Sequence, residues 1–438
     1  LSPAEFGVYS LVDITILVLV TVTQLGLGVS YLKWFADLGE TQRGTILGST
    51  LITGSLAAFV GGGLLAIVVA SPLGERWLQI PERSFAWTLL PIVVLENVQG
   101  LLLTDLRARR KAVIFSAAAL IRLLAILGAS MWFIVVQQRE VAGVFLGRLA
   151  GDSIGVLMLA ALSLRSTALS FAWPVVAAMV RYGLPLIWSG LVWIMMEASG
   201  RYFLSHYSTM EQIGLYSAAI KIANIFQMLV TQPFSVAWGG LMFQIVKMPN
   251  APLVYSRITS ATLVISVIIA SIVALFGPEL LALLTAPTFF AAEQVLPILL
   301  LVRIVQTMDY PVSAGAYLGG ATWLMAFLWT FGFGLSIVAN VLLVPENGMI
   351  GAAVAWLIGE IAIMILLGLV GRFYYPIRYE LLPFMFALGV FFCLLEFKKV
   401  AYRSVTLTII LSFGLILAGL TFLGLNSFRK LEQKGGKI

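Results

Sequence analysis

An all-α polytopic membrane protein is the fold class this sequence predicts, with two parallel six-helix repeats and two extra C-terminal helices. Three observations carry that expectation. Of 438 residues, 61% are hydrophobic and only 11% charged, whereas a soluble domain is usually about 45–50% apolar with about 25% charge. The apolar residues fall in runs near the length that crosses a bilayer. Segments of the first half also recur about 208 residues later.

Thirteen apolar runs follow in order: 7–32, 46–70, 85–104, 112–136, 141–163, 183–206, 212–242, 254–276, 291–318, 322–344, 349–371, 381–396 and 403–425. Each is expected to be a helix, because in lipid the backbone must satisfy its own hydrogen bonds. Barrel strands would be half as long and would alternate polar with apolar residues.

Loop charge sets the expected orientation. One alternating set of loops, with the C-terminal tail, holds Lys33, Arg43, Arg107, Arg109, Arg110, Lys111, Arg165, Arg181, Lys247, Arg257, Arg372, Arg378, Arg429, Lys430, Lys434 and Lys437. The other holds only Arg76, Arg83, Arg139, Lys398, Lys399 and Arg403. The positive-inside rule puts the first set and the C-terminus in the cytoplasm. Three of the exceptions lie between the last two spans, where the assignment is weakest. No loop has room for a soluble domain.

The repeat rests on two distant places. Gly7-Val8-Tyr9-Ser10 matches Gly214-Leu215-Tyr216-Ser217, and Thr23-Gln24 matches Thr231-Gln232. Further on, Gly143, Gly151 and Asp152 match Gly351, Gly359 and Glu360. An even number of spans per repeat makes the halves parallel, with a pseudo-axis along the membrane normal. The expected lobes are 1–165 and 170–372, followed by an extra helix pair and tail over 373–438. The span at 183–206 has no partner after Leu1, so a further helix of about 20 residues is expected upstream, for fourteen spans.

Composition excludes several chemistries. With Cys393 as the one cysteine and His206 as the one histidine, neither an internal disulfide nor a His/Cys zinc site is available, and no metal or cofactor is expected. The net charge of +7 is spread over short loops and reads as membrane topology, with no nucleic-acid partner. His206 and the Glu75, Arg76, Glu82 and Arg83 group read as surface.

The informative residues are charges inside spans, each costing about 2.5–3.5 kcal/mol on insertion scales and therefore facing protein or water. The basic ones are Arg122, Arg148, Arg201, Lys221 and Arg303; the acidic ones are Asp13, Glu96, Asp152, Glu197, Asp309 and Glu360. Arg148 and Asp152, and Glu197 and Arg201, are four apart, so each pair shares a helix face and either self-neutralises or serves a cavity. Asp13 and Lys221, 208 apart, fall at equal depth on equivalent helices; they either meet as a breakable ion pair or pair within their own halves. Gly61-Gly62-Gly63 suits close helix packing. Pro185, Pro233, Pro297 and Pro311 mark kinks or unwound turns, or are ordinary membrane-helix prolines.

Two segments carry a resemblance. LSPAEFGVYSL (1–11) and RYGLPLIWSGLVWIMMEASGRYFLSHYSTMEQIGLYSAAIKIANIF (181–226) resemble bacterial polysaccharide exporters. These belong to the multidrug/oligosaccharidyl-lipid/polysaccharide exporter superfamily. The resemblance implies a transporter of the bacterial inner membrane that flips polyprenyl-pyrophosphate-linked oligosaccharides, such as O-antigen, capsule or exopolysaccharide units, to the periplasmic leaflet. It implies a cavity in which basic residues meet the pyrophosphate, and places Arg201 and Lys221 there; Arg122, Arg148 and Arg303 join them by position alone. Asp13, Asp152, Glu197, Asp309 and Glu360 are candidates for coupling or gating. Family members often have an acid just before the arginine, where this chain has Gly200; Glu197 is the substitute one turn back. Expected partners are the lipid-linked oligosaccharide, membrane lipids, and a polysaccharide polymerase with other glycan-assembly proteins. A multidrug exporter of the multidrug and toxic compound extrusion type, and a membrane glycan polymerase or acyltransferase, are the alternatives; the charge count alone does not separate the exporters.

Overall fold

The computed structural model describes residues 1–39, 42–72, 74, 85–165, 167–375, 377 and 389. The expected span 381–396 apart from residue 389, the expected span 403–425, the tail and the charged group at 75–83 lie outside the described residues. Every regular element described is helical. By packing, the chain divides into two units, Leu1–Gly214 and Leu215–Ile438.

The first unit opens with α1 (Pro3–Thr23), whose start is written locally. Ser2 caps it: its Oγ accepts the Glu5 N–H at 3.3 Å, its own N–H donates to Glu5 Oε2 at 2.6 Å, and Pro3 takes the first turn. This reciprocal box satisfies backbone donors that the helix leaves over. The helix breaks where Leu25 and Gly26 adopt left-handed φ of 50° and 68°. It resumes as α2 (Leu27–Leu38). Then come α3 (Arg43–Ala70), α4 (Ala86–Ala108), α5 (Ala112–Met131), α6 (Glu140–Leu164) and the 35-residue α7 (Trp173–Tyr207). The last helix, α8 (Met210–Phe226), crosses the unit boundary. Although the repeat assigns α7 to the second lobe, it packs on α1, α2 and α3 of the first unit.

Small residues set the helix spacing, as expected where lipid supplies no hydrophobic drive between helices. Gly61 lies against Thr23 and Leu19 of α1, and Gly62 against Leu90 and Val93 of α4. A longer device sits on α6. Gly143, Gly147, Gly151 and Gly155 recur every fourth residue on one face. There they meet Ile134 beyond the end of α5, then Ser130, Ile126 and Arg122 of α5 in turn. A Cβ at Gly151 would sit 2.7 Å from the Ile126 backbone nitrogen, so only glycine allows this approach.

Two apolar clusters fill the first unit. One gathers Val8, Val12, Ile16, Val69, Leu89, Val93 and Phe145; the other gathers Leu27, Tyr31, Leu47, Leu101, Leu106, Leu159 and Met179. Along α4 and α6, the stretches between those clusters contain Glu96, Arg148 and Asp152.

The second unit continues from α8 through a π-helical turn at Gln227–Thr231 into α9 (Gln232–Ile245). Then follow α10 (Ala251–Leu275), α11 (Gly277–Leu284), a 3-10 segment (Pro287–Gln294), α12 (Leu296–Val312), α13 (Ala314–Leu318) and α14 (Thr322–Tyr374). The break after Thr23 and the π turn ending at Thr231 fall at matching places in the repeat. Pro233 follows that π turn and Pro297 opens α12 after a 56° bend. Pro311 lies in the last turn of α12, while α7 runs on through Pro185.

Length and hydropathy mark eight described helices as able to cross a membrane, or nine with the bent pair Pro287–Gln294 and Leu296–Leu318. The chain is therefore a multi-pass membrane protein. Two expected spans, 322–344 and 349–371, fall inside the single 53-residue α14. Gly348, with φ 49° and ψ −130°, breaks it between them. Gly351 returns against Leu343 and Val344, and Gly332 against Gly359 and Ile363, so α14 is a hairpin of two antiparallel helices. The expected span 183–206 is helical within α7 but is not among those eight; Glu197 and Arg201 lie within it.

Candidate functional site

Charged side chains inside the helices of the first unit form one connected network. Arg148 of α6 donates from Nη1 to Asp13 Oδ1 of α1 at 2.6 Å. Its Nη2 and Nε both reach Glu96 Oε1 of α4, at 2.7 and 2.9 Å. Arg122 of α5 donates from Nη2 to the same Glu96 Oε1 at 3.0 Å, and from Nε to Asp152 Oδ1 of α6 at 2.7 Å. Two guanidinium groups and three carboxylates from four helices thus neutralise one another, short of one charge. The Asp152 side chain is 0% exposed, whereas Arg122 and Asp13 are each 28% exposed.

The expected pair Arg148–Asp152 is not the pairing found. The glycine face of α6 brings α5 close enough for Arg122 to take Asp152, and Arg148 turns to α1 and α4. Asp13 is held by Arg148 within its own unit. The second four-residue pair does form: Arg201 Nη2 lies 3.9 Å from Glu197 Oε1. Arg201 is buried and also donates to Glu197 O at 3.3 Å and Ser10 Oγ at 3.1 Å. Lys221 is exposed on α8.

The second unit has a different arrangement. Arg303 is buried on α12 and donates to Gln306 Oε1 and to Asn224 Oδ1 of α8, each at 2.7 Å. Its guanidinium lies 4.9 Å from the centroid of Trp356. Glu360 Oε1 accepts from Gln306 Nε2 at 2.6 Å and Trp356 Nε1 at 3.0 Å. Asp309 shares α12, and its Oδ1 is buried with no hydrogen-bond partner among the described residues. The offset of 208 relates Asp13 to Lys221, opposite in sign, and Asp152 to Glu360, alike in sign.

A second buried cluster corrects the sequence reading, which placed Arg43 in a cytoplasmic loop; it is buried at the start of α3. Arg43 forks onto Asp105, Nε to Oδ1 at 2.8 Å and Nη2 to Oδ2 at 2.7 Å, and Tyr31 Oη donates to Oδ1 at 2.6 Å. Arg43 also donates to Ser163 O at 2.9 Å and to Thr167 Oγ1. It ties α2, α3, α4 and the end of α6 together. Asp105 shares a helix face with Leu101 and Leu102, a burial signal that the neighbouring basic run obscures. Glu96 was legible as an intramembrane acid, but nothing local marks it as the partner of two arginines.

These features can be set against known proteins. The family described as "Polysaccharide biosynthesis protein" matches residues 1–242, which include both resemblance segments and the whole first-unit network. The chain belongs to this family. No curated protein matches it. Among solved structures, this member of the polysaccharide biosynthesis family is similar to a lipid II flippase MurJ in an inward closed conformation. The TM-score is 0.80 and identity 12%, over 98% of this chain and 94% of that one. It is also similar to a MATE family multidrug resistance transporter of the MOP superfamily. For the inward-facing form the TM-score is 0.65 and identity 16%, over 85% and 90% of the chains. For the outward-facing form the TM-score is 0.58 at 16% identity, over 84% and 87%. At these identities the likeness establishes a shared all-α transporter fold.

Proposed function

We propose that this chain flips a polyprenyl-pyrophosphate-linked oligosaccharide from the cytoplasmic to the periplasmic leaflet of a bacterial inner membrane by alternating access. The product serves O-antigen, capsule or exopolysaccharide assembly. The observation that carries this reading is membership of the polysaccharide biosynthesis family across the segment holding Arg122, Arg148 and Arg201. Likeness to MurJ, a lipid II flippase, supports a lipid-linked substrate.

The chemistry agrees. A pyrophosphate crossing a bilayer needs its hydration replaced, and guanidinium groups do so with charge-assisted, often bidentate bonds. Arg122, Arg148, Arg201, Lys221 and Arg303 are the proposed contacts, and Asp13, Asp152, Glu197, Asp309 and Glu360 the proposed coupling or gating acids. The polyprenyl tail stays in lipid. On this reading the chain is a transporter rather than an enzyme. It has its C-terminus in the cytoplasm and works beside a polysaccharide polymerase and other glycan-assembly proteins.

The test is deletion of the gene in its host. Lipid-linked oligosaccharide should accumulate with its sugar facing the cytoplasm, and re-expression should restore export. Unchanged export in the deletion strain, with no second transporter of the family present, would refute the reading. One observation favours a multidrug exporter instead: the first-unit network holds three acids against two bases, which suits a cation. Drug efflux by the purified protein in vesicles, with no effect on glycan export, would select that alternative.

A further inference from the structure

We infer that Arg122 and Arg148 form a two-guanidinium anion site whose resident anion is Glu96, and that the lipid carrier's phosphate enters by displacing this carboxylate. The inference rests on the flippase reading and adds to it a mechanism of substrate admission. Its starting point is an imbalance at one atom. Glu96 Oε1 accepts three N–H groups, from Arg148 Nε at 2.9 Å, Arg148 Nη2 at 2.7 Å and Arg122 Nη2 at 3.0 Å. A carboxylate oxygen offers two lone pairs, so three donors from two planar forks exceed what it uses well. A phosphoryl group offers three oxygens to the same donors and matches each fork with two.

The surroundings divide into a fixed part and an open part. Asp152 is fully buried and orients Arg122 through its Nε. Asp13, 28% exposed, holds Arg148 Nη1 at 2.6 Å from the other side. Glu96 and Arg148, 13% and 14% exposed, lie between the fully buried Asp152 and the more open Asp13 and Arg122. With three carboxylates on two arginines, the resting site has no surplus positive charge. A phosphate therefore binds only as an internal acid leaves, and the returning acid drives it off again. A site of bare arginines would bind the carrier tightly and release it slowly. Glu96 is thus a specificity and release residue, not a passive counter-ion.

The test uses the full chain in lipid nanodiscs, with farnesyl pyrophosphate as the binding probe. In Glu96→Gln the competitor is neutral, and probe affinity should rise about tenfold, a change of about 1.4 kcal/mol. The rate of lipid-linked oligosaccharide flipping in proteoliposomes should fall at saturating substrate. Glu96→Gln/Arg148→Gln should lose the gain in affinity. A merely structural role for Glu96 produces no tighter binding, so unchanged or weaker affinity in Glu96→Gln overturns the inference. If that variant does not fold, Asp13→Asn should bind the probe a few-fold tighter, and unchanged affinity there overturns it equally. No probe binding by any folded variant also overturns it. A wild type that transports no lipid-linked oligosaccharide defeats the flippase reading; a wild type that transports while Glu96→Gln binds no tighter defeats only the displacement.

Discussion

Gly7 and Gly214 face each other reciprocally. A Cβ on Gly7 would meet the Met210 carbonyl oxygen and lie 3.1 Å from the Gly214 nitrogen; a Cβ on Gly214 would meet the Pro3 carbonyl oxygen and lie 3.1 Å from the Gly7 nitrogen. Pro3 and Met210, like Gly7 and Gly214, are 207 residues apart. The matching motifs that reveal the repeat are therefore in contact with each other, the first turns of α1 and α8 crossing backbone to backbone. The neighbours are main-chain atoms, which no rotamer change can move, so glycine is required at both positions.

Gly7→Ala or Gly214→Ala should push this crossing apart and cost about 1–3 kcal/mol, the range for overpacking. Gly334→Ala is the control, since nothing lies within 4 Å of a Cβ there. Thermal unfolding of the purified variants checks it. Equal melting temperatures for Gly214→Ala and Gly334→Ala would contradict the tight crossing.

The Arg43–Asp105 cluster should be structural. Breaking a buried, hydrogen-bonded ion pair costs about 3–5 kcal/mol, because one charge is left unpaired. Asp105→Asn and Arg43→Gln should each lower the melting temperature and the amount of protein in the membrane. Arg43→Met/Asp105→Leu should recover much of the loss, since it removes both charges. A double variant less stable than either single would show that the pair does more than satisfy itself.

Arg201 and Lys221 are predicted to act on the substrate. Arg201→Gln and Lys221→Gln should abolish glycan export while leaving membrane levels unchanged, and Arg201→Lys should be impaired less than Arg201→Gln. The double Arg201→Gln/Glu197→Gln tests whether the role of Arg201 is internal pairing instead. Restored export in the double would assign Arg201 to pairing, and full export in either single would remove that residue from the site.

The orientation is predicted to place the 105–111 and 165–181 loops in the cytoplasm. With Cys393 removed, a cysteine at Ala108 should resist a membrane-impermeant thiol reagent in intact cells and react once the membrane is opened. Strong labelling in intact cells would invert the topology.

Much of the architecture was legible in the amino-acid order. In lipid an apolar run of about 20 residues has one good backbone solution, the helix, so run length alone specifies most elements. The nearly constant offset between distant motifs exposed the repeat, 207 at Gly7 and Gly214 and 208 at Asp152 and Glu360. Where the sequence misled, the cause was range. The spacing of Arg148 and Asp152 reports only that they share a face of one helix. It is silent about which helix lies opposite, and there Arg122, Glu96 and Asp13 win the contacts. Asp105 was hidden for the same reason, since its partners Arg43 and Tyr31 come from other helices.

By itself, then, the order of residues determined that this is a duplicated all-α membrane protein with charges buried at a cost that implies use. The tertiary structure alone decided which charges neutralise which. Hydrophobicity and helix formation act within a segment, where neighbours in sequence are neighbours in space. Ion pairing acts over a few ångströms between segments, and the glycine face of α6 determines which segments come that close.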